Sequence, residues 1–345
     1  MRLAAPLIAA AAMLATSFLI FAFLGKDPLN ALEVFFIEPL NSLYGWGELV
    51  LKATPLALCG LGLALGFSAN VWNIGAEGQL TLGAICGGGV ALYWGNLLGP
   101  LALPVSLLAG IAGGAAWAAI PAFLRTRFNT SEILVSLMLV YIAQLLLTYL
   151  LHGVWRDPEG FNFPQSRAFD ERVLLPLLLD GQRANLAFPM MLALAAASWV
   201  FSSRLFAGYR MRVGGQAPAA AAYAGFSERR NVWLALMVGG GAAGLAGVCE
   251  VVGPIGRLQV DISPGYGFAA IIVAFVGRLH AIGIVLAALL MSLLYLGGES
   301  VQLGLQLPAA VTGLFQGMLL FYLLAADLFV GFRLRRVPRL RKAHA

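Results

Sequence analysis

Long apolar runs alternate along this chain with short segments that carry most of its charge. The runs predict membrane-spanning helices at 4–24 and 49–68, from inside 69–84 to about Leu98, then at 101–124, 132–151, 186–206, 232–252, 281–297 and 307–330. Most come close to the roughly 20 apolar residues that a helix needs to cross a hydrocarbon core of about 30 Å. A tenth run, 266–277, is shorter, since a helix of that length spans only about 18 Å. It is either re-entrant or extended by the "DISPGYG" before it, and non-helical backbone at that depth must be buried in protein or lie beside water. The expected fold is all-α, a polytopic membrane protein of about ten transmembrane helices with broken or re-entrant segments, organised as one transmembrane domain over 1–345.

Charge orients these runs. Arg125 and Arg127 follow the fourth, five arginines lie between the sixth and seventh (Arg204, Arg210, Arg212, Arg229, Arg230), and a basic tail over 331–345 closes the chain. If every run crosses, all three clusters fall on one side, which the positive-inside rule makes cytoplasmic. Both termini are then cytoplasmic, and 25–48 and 152–185 face outward. A first run at 4–24 also suits a cleaved signal peptide, but it is long for one and the rest of the chain is embedded too, so it is read as a retained span.

Composition narrows the class. The 345 residues are 60% hydrophobic and 11% charged, against about 25% charged in soluble domains, and mean hydropathy is +0.86. The net charge of +6 comes from arginines in short inter-span segments and is not a nucleic-acid signal. Cys59, Cys86 and Cys249 lie inside apolar runs without metal-ligand spacing and read as small core residues. No G-x-x-x-x-G-K-[ST], H-E-x-x-H or G-x-S-x-G occurs, and the three histidines are scattered. The chain therefore carries no P-loop and no enzyme constellation, and is not expected to be an enzyme.

Two stretches break the apolar pattern. In "ANVWNIGAEGQLTLGA" (69–84), Asn70, Asn73, Glu77 and Gln79 stand among three glycines. A polar group buried in lipid costs several kcal/mol unless paired. The stretch is either a break between two helices beside a polar path, where ionisable groups are functional by default, or a cytoplasmic loop with Glu77 near a helix N-terminus. Glu250, after a long apolar run, is a further lumen candidate, whereas Asp261 and Glu299 suit an interface. "NIGAEGQLTLGAI" and "DISPGYGFAAIIV" each follow a small-residue helix and approach from opposite faces, a faint inverted repeat.

The second stretch is 207–230. Residues 216–224 predict a short helix, with Pro218 in its first turn and Gly225 as its stop. An alanine-rich cytoplasmic helix bearing Tyr223 suits docking into a groove on a soluble partner. Asn129 or Thr130 is expected to cap the next helix, with Glu132 in its first turn.

The stretches 73–84, "NTSEILVSLMLVYIA" (129–143), 219–253 and "GYGFAAIIVAFVGRLHAIGIVLAALL" (265–290) carry a resemblance over about 45–325. The chain resembles the permease subunits of bacterial ABC importers of the branched-chain amino acid and simple-sugar permease superfamily, and within it the nucleoside-type branch, the longer of two paired permeases. That resemblance implies a permease core over 45–330 in the inner membrane, paired with a second, homologous permease and driven by cytoplasmic ATPase subunits. It implies a periplasmic or lipoprotein substrate-binding protein and a nucleoside substrate, with a simple sugar as the alternative. ATP and Mg would bind the partner ATPase, and this chain would bind no cofactor or metal. Asn70, Asn73, Glu77, Gln79 and Glu250 become substrate-path candidates. Gln216, Ala219, Ala220, Tyr223 and Gly225, within the loop 207–230, become ATPase-coupling candidates. The chain departs from the family pattern at Gly215-Gln216, where Asn commonly follows the Gly, and at Val140, where Asn is common. On the residues alone, an ion-coupled secondary transporter acting as a single chain is the competing reading. A membrane-embedded enzyme would need clustered acids or histidines at one membrane face.

Overall fold

A computed structural model of the chain describes residues 4–179, 181–308 and 310–331. Its elements are α1 (Ala4–Phe23), α2 (Pro28–Phe36), α3 (Leu43–Ser68), α4 (Ala76–Leu98), α5 (Ala102–Phe128), α6 (Glu132–His152), α7 (Ala187–Arg204), α8 (Phe206–Gln216), α9 (Pro218–Tyr223), α10 (Glu228–Glu250), α11 (Tyr266–Val276), α12 (Ala281–Leu305) and α13 (Ala310–Gly331). Among the described residues there is no β-strand, only two isolated bridges. The predicted runs all recur as helices, and all-α is the observed class.

Among the described residues, five helical stretches are long and apolar enough to cross a membrane by length and composition, or six if the bent pair α7–α8 is one span, against the ten of the sequence pattern. One of the five, Ala76–Phe128, contains two helices. Around its 3-10 turn at Gly99–Leu101, α4 and α5 fold back on each other: Gly87 of α4 backs onto the Ser106 carbonyl, and Gly113 of α5 onto Cys86. α11 has only 11 residues. The basic tail expected over 331–345 lies, after Gly331, outside the described residues.

The chain divides into two compact units. The smaller comprises 1–38 and 297–345. Within it Phe315 of α13 meets Phe21 of α1 and Phe35 of α2 edge-on, at 5.5 and 4.8 Å between ring centres. α2 was not expected from the apolar pattern. It is built by Asp27, whose carboxylate accepts from the Leu29 amide, and by Pro28 in the first turn.

The larger unit, 39–296, holds the candidate site. α3 and α10 form its centre: 89% and 72% of their apolar windows are buried, against 22% for α6. A helix apolar on all sides belongs inside. Lipid tails supply no hydrophobic drive between helices, so close backbone approach must do the packing. α10 supplies it with Gly239, Gly240, Gly241, Gly244 and Gly247. A Cβ on Gly244 would lie 3.0 Å from the Gly114 Cα of α5 and nearer still to the Gly110 carbonyl, while one on Gly83 of α4 would strike Gly244 itself.

Helix ends correct the sequence reading in detail. Ser131, not Asn129 or Thr130, caps α6, accepting from Leu134 N at 3.5 Å. Asn129 instead stops α5 in the left-handed region at φ 52°. The segment 207–230 holds an unforeseen helix, α8, set at 70° to α7. Gln216 closes α8, so the short helix begins at Pro218 rather than 216.

Gly244→Val is expected to cost about 1–3 kcal/mol or more, because backbone on two neighbouring helices must shift. Gly313→Ala, where an added Cβ meets nothing within 4 Å, is expected to be neutral. Melting of the detergent-solubilised protein compares the two.

Candidate functional site

α3 stops where Asn70 takes the left-handed conformation (φ 56°). The amides of Asn70 and Val71 return to the Phe67 and Gly66 carbonyls, a Schellman stop. Residues 71–75 are not helical, and α4 starts at Ala76. At one end of this segment the Trp72 amide donates to Glu132 Oε1 at 3.3 Å, at the very start of α6. At its other end a Cβ on Gly75 would lie 2.8 Å from Ser136 Cβ, and one on Gly78 would lie 2.8 Å from Val140 Cα. Ser136 and Val140 are one and two turns into α6, about 6 and 12 Å along its axis. The chain therefore climbs beside α6 before α4 begins, and its helical start lies inside the protein. Residues 71–75 separate the two helices, and Glu77 lies in the first turn of α4. The break covers fewer residues than expected, since Glu77 and Gln79 already belong to α4.

The break satisfies its own polar groups. Asn73 and Gln79, 2% and 1% exposed, form a reciprocal amide pair: Asn73 Nδ2 donates to Gln79 Oε1 at 2.8 Å, and Gln79 Nε2 donates to Asn73 Oδ1 at 3.0 Å. Asn73 Oδ1 also accepts from Gly75 N. Asn70 stands apart, exposed, with Oδ1 accepting from Trp72 Nε1. The Trp72 ring lies against Phe67 and Phe275, with centroids 5.2 to 5.9 Å apart.

Glu77 is the centre of the site. Its carboxylate, 3% exposed, accepts from the Gly267 amide at 2.6 Å, and the Phe268 amide and Ser263 hydroxyl lie close enough to act on it. Ser263 Oγ in turn accepts from the amides of Gly265 and Tyr266. Glu77 and Ser263 together cap α11, with the negative charge at the positive end of the helix dipole. Gly267 has no room for a Cβ against the Ala76–Glu77 backbone. The two stretches of the faint repeat thus meet at their helix starts. The sequence reading passed over Ser263, although a serine ahead of an apolar run is a capping signal.

Glu250 lies elsewhere, at the end of α10, where the helix widens into a π-turn at Val251–Ile255. It is buried, within electrostatic reach of Lys52, Arg183 and Glu48. Arg183 and Glu48 pair at 3.4 Å. The path candidates therefore form three separate groups: Asn70, the cluster of Asn73, Glu77 and Gln79, and Glu250.

The coupling candidates converge better. α9 ends in a Schellman stop, with the Phe226 and Gly225 amides on the Ala221 and Ala222 carbonyls and Gly225 at φ 75°. Ala219, Ala220 and Gly225 are exposed, and Tyr223 is 97% exposed. Gln216 is exposed at the end of α8. Beneath α9 lies a cavity of about 140 Å³, bounded by Ala221 and Ala222, by Ala69–Val71 and by Arg125. Arg125 forms an ion pair with Glu132 and reaches Glu228 at 3.5 Å. Glu132 was expected to serve only its own helix, yet it binds both Arg125 and the backbone of the break. Among the described residues no cluster of three His, Cys, Asp or Glu is placed to hold a metal.

Glu77→Ala strands the first amides of α11 and is expected to cost about 1–3 kcal/mol, while Glu77→Gln keeps an acceptor and most of the stability. For the amide pair, Asn73→Leu and Gln79→Leu together are expected to cost less than the sum of the single changes, by about 1 kcal/mol or more. Thermal melts of the variants in detergent read both.

Residues 46–324 match the family described as branched-chain amino acid transport system / permease component. The glucose ABC transporter permease protein TsgB13 of Haloferax volcanii is 36% identical over 338 residues, covering 95% of this chain and 88% of that protein. The guanosine ABC transporter permease protein NupP of Bacillus subtilis is 30% identical, covering 93% and 92%. The nucleoside ABC transporter permease protein NupB of Lactococcus lactis is 28% identical, covering 79% and 77%. No solved structure matches. With a helical membrane architecture and a family match over most of its length, the chain belongs to the branched-chain amino acid transport permease family and is an ABC transporter permease, a transport component rather than an enzyme.

Proposed function

We propose that this chain forms part of the translocation path of an importer for a nucleoside, and transmits the work of a separate ATPase through α9. The observation that carries the reading is the exposed, sharply terminated helix α9 above the Arg125–Glu132 pair. That pair holds the Trp72 end of the break whose other end carries Glu77. Force on α9 therefore has a short bonded route to the α4–α11 junction. In this reading Asn73, Gln79 and Glu77 brace the wall of the path, and Glu250 with its charged neighbours lies along it. Relatives named for guanosine and nucleoside transport support the substrate class. The relative named for glucose, more similar over more of the chain, favours a simple sugar as the second reading.

The complex would contain ATPase subunits that bind ATP and Mg, a periplasmic or lipoprotein binding protein, and a second permease. Two permeases each from Bacillus subtilis and Haloferax volcanii are similar to this chain, which supports a heterodimer. The arginine clusters support a cytoplasmic location for α9 and both termini. The ten-crossing count that they require would have α1, α11 and α13 cross as well. One transmembrane domain, in the inner membrane, is the corresponding organisation.

Uptake into proteoliposomes holding both permeases and the ATPase, with binding protein outside, is expected to require ATP and the binding protein, and to favour radiolabelled nucleosides over glucose. The reverse preference would select the sugar reading. Uptake by this chain alone on an ion gradient would overturn both. Tyr223→Asp is expected to abolish co-purification of the ATPase. Arg125→Ala is expected to leave co-purification intact and to lower uptake tenfold or more at unchanged ATPase binding. Wild-type uptake in Arg125→Ala would remove the pair from the route.

A further inference from the structure

We propose that a groove on the exposed face of α10 is a binding site for an anionic phospholipid of the surrounding bilayer. The groove is open, with a volume of about 520 Å³. Arg210, Arg229 and Arg230 stand at it, and its walls are Trp233, Leu234, Met237 and Val238. On α10 these side chains form two rows at i, i+4, i+8: Arg229, Trp233, Met237 and Arg230, Leu234, Val238. Residues at that spacing lie one above another on one helix face. Each row has a guanidinium at its head and apolar side chains below, the profile of a phosphate joined to an acyl chain.

Among the described residues, no carboxylate neutralises the charge of Arg229 or Arg230 at the heads of the two α10 rows, and the adjacent Glu228 is engaged by Arg125. Both arginines lie in the first turn of α10, at the positive end of its dipole, where a cation is disfavoured and an anion is favoured. Arg210 reaches the groove from α8, held there by its Nε, which donates to Asn231 Oδ1 at 3.1 Å. Its terminal nitrogens have no partner among the described residues, so the fork that suits a phosphate remains available. The slot below is also held in shape, because Trp233 Nε1 donates to Thr126 Oγ1 of α5 at 3.2 Å. Basic pockets between helices on the cytoplasmic side are suited to lipid phosphates, and the positive-inside rule places these arginines on that side. A soluble phosphate would use the guanidiniums and leave the apolar slot unused, whereas a phospholipid uses both.

The test is native mass spectrometry of the full-length chain in detergent, titrated with phosphatidylglycerol. Wild type is expected to retain one phosphatidylglycerol that phosphatidylcholine and glycerol 3-phosphate do not displace. Arg229→Gln with Arg230→Gln is expected to weaken it about thirtyfold, from about 1 kcal/mol per basic residue. Val238→Trp, which fills the slot and leaves the arginines in place, is expected to lose the lipid as well. Both variants are compared at the elution volume of the wild type. Equal retention in wild type and the arginine variant would overturn the proposal. Displacement by glycerol 3-phosphate, with Val238→Trp neutral, would make the site one for a soluble phosphate. If lipid retention stays unchanged while the arginine variant loses the co-purified ATPase, the surface is a protein contact and not a lipid site.

Discussion

A carboxylate inside an apolar bundle must be hydrogen-bonded on nearly all sides, and Glu77 meets that demand at the start of another helix. α11 begins with Tyr266 and Gly267 buried inside the protein, so its first amides need acceptors from elsewhere in the chain. Glu77 and Ser263 supply the acceptors. The requirement runs both ways, since the carboxylate needs the donors as much as the amides need an acceptor. The break before α4, the close approach of Gly267 to Ala76 and Glu77, and the placing of α11 beside α3 and α4 follow from that exchange. Asn73 and Gln79 do the same on a smaller scale, the amide of the nonhelical segment and that of α4 each satisfying the other.

Such a junction holds only if the surrounding helices approach closely. α10 lies against α3, α4 and α5 along glycine-lined tracks. Gly244 sits where α4 and α5 both reach α10. Dispersion contacts between backbones replace the hydrophobic drive that lipid cannot give. α6 is buried along one face only, at Ser136, Leu139, Val140, Ala143, Leu147 and Leu151.

Much of this was legible in the sequence, because the underlying constraints are local. Runs of apolar residues, Pro218 in a first turn, and Gly225 as a stop are signals contained within a few residues. The polar break at 69–79 was legible as an anomaly, since Asn73, Glu77 and Gln79 have no business in lipid unpaired. Their partners were less accessible. Asn73 finds Gln79 six residues on, but Glu77 finds Gly267 190 residues away, and no spacing rule reaches that far. Glu132 looked like a first-turn acid and nothing more, because its ties to Arg125 and the Trp72 amide exist only once α5 and α6 are packed. α8 escaped notice for the opposite reason: its arginines and its Gly214-Gly215 pair obscured both length and periodicity, and the 70° bend after α7 follows from packing and not from composition.

The positions of the polar groups separate two kinds of work. Asn73, Gln79 and Glu77 are bonded to one another or to backbone, with little surface left to offer a solute in this conformation. They fix where helices begin. The Arg125–Glu132–Glu228 group is less buried and is shared among α5, α6, α10 and the break. It lies beside a cavity that α9 covers. A group that ties several elements through charge-assisted bonds, next to empty space, has a second arrangement within reach at modest cost. A cap sealed between two helix backbones does not. In the proposed reading of α9 as the coupling helix, motion driven from it is taken up at Arg125, with the Glu77 junction moving as a rigid piece. The break in the apolar pattern is then a stiff lever rather than a flexible hinge.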